Sequence, residues 1–219
     1  MTYILCIETA TTNCSVALSV NGSVIALRED NSKEYSHAER LHVFIEEVLA
    51  EAQVPKPKLN AIAVSKGPGS YTGLRIGVSA AKGLCFALDI PLLAIPTLQS
   101  LAAQGSSGHD FIIPMLDARR MEVYSAVYNS QGEEIREVRA EVLEADLYQE
   151  YLDKGRTLFL GSGAAKYQTI CSHGNAHFYT GAMPSATQMV PLAHALFKID
   201  NTVNVAYFEP FYLKDFISK

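Results

Sequence analysis

Two acids and a histidine are the residues of this sequence best placed to do chemistry. Glu8 closes the apolar run "YILCI", and Asp117 closes "FIIPML". Ligands of open α/β sheets gather beyond the carboxyl ends of strands, so an acid there is a candidate for holding a cation or a phosphate. His37 opens the helical pattern "SHAERLHVF". A metal site on a helix needs its second ligand at i+3 or i+4. Position 41 is leucine, and His42 at i+5 lies about 140° round the helix, so His37 and His42 cannot chelate one ion. His109, His173, His177 and His194 form no ligand cluster in sequence. No zinc or iron site is predicted, because catalytic zinc ordinarily takes three protein ligands. No G-x-S-x-G elbow is present either.

The run "SKGPGSYTGLRIG", residues 65–77, resembles a phosphate-binding device without matching one. A P-loop needs Lys-Ser/Thr after its last glycine, and Gly73 is followed by Leu74 and Arg75. A dinucleotide fingerprint needs G-x-G-x-x-G; here Gly67, Gly69 and Gly73 stand one residue too far apart. Free N–H groups at the helix start could still meet some anion. In the helix itself, Gly73, Gly77 and Ala81 recur every four residues. Interior glycine costs a helix about 1 kcal/mol, so such a stripe marks a place where another backbone comes close. That backbone is either the protein's own sheet or a partner. Arg75 sits in the first turn, where the dipole disfavours a cation, which points to an anionic neighbour.

These residues need elements to position them. "YILCIE" and "CSVALSV" read as strands, and Asn21-Gly22 predicts a hairpin turn into a third strand. An amphipathic helix follows over residues 36–52, where Ser36 and Glu39 form an S-x-x-E capping box. A strand, the glycine loop, a helix to residue 88, a short strand and a helix from Thr97 complete the half. The second half begins again: "FIIPMLDARRMEVYSAVYNSQGEEI" repeats the plan of "YILCIETATTNCSVALSVNGSVI". Glu8 corresponds to Asp117, and Gly22 to Gly132. A helix over residues 145–154, the strand "TLFLG", a helix from Ala164, the strand "HFYT" and a helix from Thr187 follow. Two copies of a β-β-β-α-β-α unit predict a duplicated α/β protein with a cleft between lobes; the alternative is coincidence between two hairpins. The expected division is 1–104, a smaller lobe over 105–183 with "GSSGHD" as linker, and a C-terminal helix and tail over 184–219 that pack back on the first lobe.

The chain has 219 residues, 48% of them apolar, and a net charge of -5. That balance argues against holding nucleic acid by its own field, so any RNA role is borrowed from a more basic partner. The N-terminus lacks a basic n-region, and no apolar stretch reaches the roughly 18 residues of a membrane span. The cysteines at 6, 14, 85 and 171 show no paired spacing, which predicts free thiols and a cytoplasmic location.

Taken together, "ILCIETATTNCSVAL", "SHAERL", "GPGSYTGLRIGVSAAKGL" and "LDARRMEVY" resemble the TsaB (YeaZ) family over nearly the whole chain. The resemblance implies a duplicated actin-like (ASKHA, RNase H-like) fold, with two lobes of mixed five-stranded sheet and helices. It implies a non-catalytic subunit that binds and activates the catalytic paralogue TsaD and engages the ATPase TsaE. The complex transfers threonylcarbamoyl to the adenosine beside the tRNA anticodon, and the free subunit is expected to be a homodimer. The paralogue's two metal-binding histidines match His37 and Leu41, so the second ligand is missing. The first two helices are the implied partner face: Ser36, His37, Glu39 and Arg40 from one, Thr72, Gly73, Arg75, Gly77 and Ala81 from the other. Glu8, Thr9 and Asp117 are implied as a vestigial nucleotide cleft; "ETA" departs from the family's usual Asp-Thr-Ser. No intrinsic cofactor is implied, and ADP or ATP is a candidate only at the interface of the complex. The rival readings are a stand-alone actin-like phosphotransferase using Glu8 and Asp117, and a metallopeptidase, against which the missing histidine counts.

Overall fold

A computed structural model describes residues 1–32, 37–105 and 108–214. The Ser36 half of the capping box falls outside these residues. The chain separates into two compact units, Met1–Ser100 with Pro184–Tyr212, and Leu101–Met183 with Leu213–Lys219.

The first unit is one five-stranded sheet in the order β3-β2-β1-β4-β5. β1 (Tyr3–Glu8), β2 (Cys14–Val20) and β3 (Ser23–Asp30) are antiparallel neighbours, while β4 (Ala61–Gly67) and β5 (Leu92–Pro96) run parallel to β1. The predicted hairpin turn is present, with positive φ at Asn21 (51°) and Gly22 (85°). Strand alternation sorts side chains to two faces. Leu5, Ile7, Val16, Leu18, Ile62 and Val64 meet helices α1 (His37–Glu51) and α2 (Tyr71–Leu88) on one face. Ile4, Cys6, Ala17, Ala61 and Ala63 meet helix α6 (Ala186–Lys198) on the other. Small residues on that face let α6 lie close. Leu41, Phe44, Ile45, Val48 and Leu49 form the buried stripe of α1, each contributing about 1.5–3 kcal/mol of burial. The short helix α3 (Thr97–Ala102) follows β5.

The second unit repeats the order. β6 (Phe111–Asp117), β7 (Glu122–Asn129), β8 (Glu134–Val142), β9 (Thr157–Leu160) and β10 (Ala176–Tyr179) occupy the places of β1 to β5. Gly132 has φ 79°, as Gly22 has 85°. The duplication is therefore real. One expectation needs correction: the helix predicted over 145–154 is only α4 (Gln149–Leu152), preceded by turns, and α5 (Ala164–Gln168) is as brief. Aromatic rings fill the space that longer helices fill in the first unit. Tyr148, Phe159 and Tyr167 lie within 4.8–5.5 Å of one another by ring centroid. Among the described residues no helix is long and apolar enough to cross a membrane.

Candidate functional site

β1 ends in a buried turn at Glu8, Thr9 and Ala10. Glu8 is fully buried; its Oε1 accepts from the Ala10 N–H at 2.7 Å, and its Oε2 has no hydrogen-bond partner. Burial pushes the Glu8 carboxyl up to about 7, against the opposing pull of the Ala10 N–H and the Ser65 hydroxyl. Thr9 is buried beside it, with Oγ1 also unpartnered.

The glycine loop closes over this turn. A Cβ on Gly69 would stand 2.4 Å from Ala10 O, one on Gly73 would stand 2.2 Å from Thr9 O, and one on Gly77 would stand 2.2 Å from Thr9 Oγ1. Glycine at all three lets α2 lie directly against the end of β1. Of the two readings open for the stripe, the protein's own sheet is the correct one. Gly73, Gly77 and Ala81 are buried, so their expected place on the partner face is corrected. Three N–H groups at the helix start are engaged as well: Ser70 donates to Ala10 O at 2.6 Å, Gly73 to the capping Ser70 Oγ at 3.2 Å, and Leu74 to Ser70 O. These residues do not fit a nucleotide phosphate or its magnesium. The acid is sealed, the N–H groups of Ala10, Ser70, Gly73 and Leu74 are taken, and a bound anion would meet the carbonyls of Thr9 and Ala10.

His37 is buried at the head of α1, with Nε2 2.7 Å from Thr11 O. The carbonyl only accepts, so Nε2 donates; burial lowers the imidazole pKa. His37 thus ties α1 to the β1–β2 turn and presents no outer surface, a second correction to the expected partner face. Leu41, one turn on, lies in the core. Glu39 and Arg40 are exposed, Arg40 reaching Asp30 at 3.5 Å. Arg75 is exposed, but its neighbours are aromatic rather than anionic: the guanidinium lies 4.0 Å over the Tyr71 ring, and Nε donates to Tyr212 Oη at 3.1 Å. Thr72 is exposed beside it. Asp117, in the second unit, differs from its counterpart Glu8. It is exposed and accepts from Lys166 Nζ and from the Arg119 N–H, both at 2.6 Å. No group of three or more metal-ligating side chains occurs among the described residues.

With the inner face of α2 committed, its outer face carries Thr72, Arg75, Ser79, Gly83 and Phe86. Phe86 is 85% exposed, and Val43 on the outer side of α1 is 48% exposed. Sequence reading passed over both. Their signal was present: Phe86 lies off the Leu74–Val78–Ala81–Cys85 stripe on a helical wheel.

Relatives share this architecture. A family model described as TsaD, tRNA N6-adenosine threonylcarbamoyltransferase, matches residues 31–216. The chain is 32% identical to the Escherichia coli tRNA threonylcarbamoyladenosine biosynthesis protein TsaB, over 97% of this chain and 94% of that protein. The chain belongs to the TsaB family. The Bacillus subtilis TsaB is 37% identical over 76% of this chain and 74% of its own length. The solved structure of YeaZ from Pseudomonas aeruginosa superposes with a TM-score of 0.80 at 28% identity, covering 97% of this chain and all of that one. The TsaB-family chain thus has the duplicated actin-like fold, with the first acid buried as Glu8 and the second exposed as Asp117.

Proposed function

We propose that this chain serves tRNA threonylcarbamoyladenosine biosynthesis as a non-catalytic subunit. It binds and activates a TsaD-type catalytic paralogue through the outer faces of α1 and α2, and engages a TsaE-type ATPase. tRNA is reached only through that complex, in the cytoplasm, and ADP or ATP belongs to the assembled interface rather than to the Glu8 turn. The free chain pairs with a second copy through the same face. The observation that carries this reading is Phe86, a large apolar side chain 85% exposed on a rigid helix. Val43 on α1 and Gly83, where a Cβ would meet nothing within 4 Å, extend the open surface.

The experiment is calorimetric titration of the Phe86→Glu protein against the TsaD-type paralogue, with mass measurement of the free variant. A charge at an aromatic anchor is expected to weaken association by roughly thirtyfold or more. Because a two-fold interface uses the same patch on both copies, the homodimer should dissociate in the same variant, at an unchanged melting temperature. Full affinity with a dissociated homodimer would separate the two interfaces. Full affinity with the homodimer intact would remove the α1–α2 face from the proposal altogether.

A further inference from the structure

β5 is an edge strand, and among the described residues its outer side is paired at its beginning alone: the Val203 N–H donates to Leu92 O at 2.9 Å, an isolated rung. Beyond it the C-terminal segment leaves the edge, and a pocket of about 420 Å³ opens between β5, α6 and that segment. Its size is that of a small-molecule site. Leu196, Val203 and Phe208 give it apolar walls, and Ala94 lies at the strand edge. The walls are fixed in place. Lys82 Nζ donates to the carbonyls of Ala206 and Phe208 at 3.1 and 3.0 Å, and the Phe211 N–H to Lys66 O at 2.7 Å.

Three polar residues line the pocket: Lys66 and Gln99, both half-buried, and the exposed Asn201 at its rim. Among the described residues no acid lies within ion-pair distance of the Lys66 ammonium. A lysine at the pocket with no acid in ion-pair reach is open to a carboxylate as its counter-ion. One cation suits a single negative charge, a side-chain amide beside it can donate to the second oxygen of a carboxylate, and the walls suit a hydrocarbon body. We infer that this pocket binds a small amphipathic monocarboxylate, its carboxylate between Lys66 and Gln99 and its aromatic or branched body against Leu196, Val203 and Phe208. The site shares no residue with the α1–α2 outer face.

The probe is 4-phenylbutyrate, compared with 4-phenylbutanol and 4-phenylbutylamine, on isotope-labelled full-length protein by amide NMR. A ligand of this size in a fitted pocket is expected near a Kd of about 1 mM. Saturable shifts should centre on Ala94, Gln99, Leu196 and Val203, with the alcohol weaker and the amine weakest. Lys66→Gln should weaken the acid about tenfold and leave the alcohol unchanged, while Lys66→Arg keeps most of the affinity. The three-ligand series on the unaltered protein decides the matter even if a variant fails to fold. Absence of saturation by about 20 mM, or amine binding as well as acid, would overturn the inference. So would a folded Lys66→Gln protein with full affinity. Binding of an extended acetyl-Leu-Glu-Leu-amide peptide in preference to phenylbutyrate would overturn it in favour of a peptide groove.

Discussion

Glu8 and His37 are both buried and respond to pH in opposite senses. Burial raises Glu8 to about 7 from an ordinary 4.5. Between those values the native state keeps a proton that the unfolded chain has released. The contribution of Glu8 is therefore complete below its unfolded pKa and lost as pH rises through about 7, on the order of 3 kcal/mol in all. His37 is lowered by burial, so its contribution is present above its ordinary value and is lost as pH falls through the folded one. Urea midpoints measured from about pH 5 to about pH 8.5 should fall on the alkaline side in the native protein and flatten in Glu8→Gln. An unchanged alkaline slope in the variant would mean that Glu8 is ionised when folded. Gly77 offers a sharper test of packing. Its missing Cβ would stand 2.2 Å from Thr9 Oγ1, so Gly77→Leu should lower stability by about 3 kcal/mol or more, roughly 6 °C or more in melting temperature for a chain of this size. A wild-type melting temperature would place Gly77 on an open surface.

At the scale of elements, the first unit was legible and the second only in outline. Strands announced themselves by β-branched runs, and Asn21-Gly22 by its turn chemistry. α1 announced itself by Leu41, Phe44, Ile45, Val48 and Leu49 at helical spacing. What a sequence cannot display is which of two small faces of α2 is turned inward, because the deciding neighbour, Thr9, is more than sixty residues away. Gly77 and Gly83 look alike in sequence; one faces a threonine hydroxyl and the other open space. The second unit misled for a related reason. Residues 145–154 have helical composition, but Tyr148 and Tyr151 turn into an aromatic core, and tertiary packing outweighs propensity. The contrast between the glycines gives a prediction of opposite sign. Gly83→Ala should stabilise the protein by about 0.5–1 kcal/mol, because a mid-helix glycine is replaced where the new methyl meets nothing. Loss of stability there would show that the outer face of α2 is already covered in solution.

For the whole molecule, charge and the sealed β1 turn point the same way. With a net charge of -5, the isolated chain is expected to bind tRNA no better than a non-specific acidic protein. Filter binding with and without the TsaD-type paralogue measures this, and tight binding by the chain alone would contradict it. Glu8 is enclosed and Asp117 is paired with Lys166. The purified chain should therefore show negligible ATP turnover. A measurable rate abolished by the Glu8→Ala, Asp117→Ala double variant would install the phosphotransferase reading in place of the one proposed. The family resemblance was legible because its motifs are local runs. The pocket at β5 was not, since it is assembled from segments that only folding brings together.

The first unit is closed by α6, which lies more than eighty residues beyond the last strand that it covers. During synthesis, then, the β-sheet leaves the ribosome with one side bare: Ile4, Cys6, Ala61, Ala63, Leu93 and Ile95 have no cover until Met189, Val190 and Ala193 have emerged. The nascent chain carries that apolar side through the making of the entire second unit, several seconds at ordinary elongation rates. This is the interval in which a chaperone would be needed. A messenger truncated before codon 184 should yield insoluble protein, however well its first hundred residues are matched to their fold.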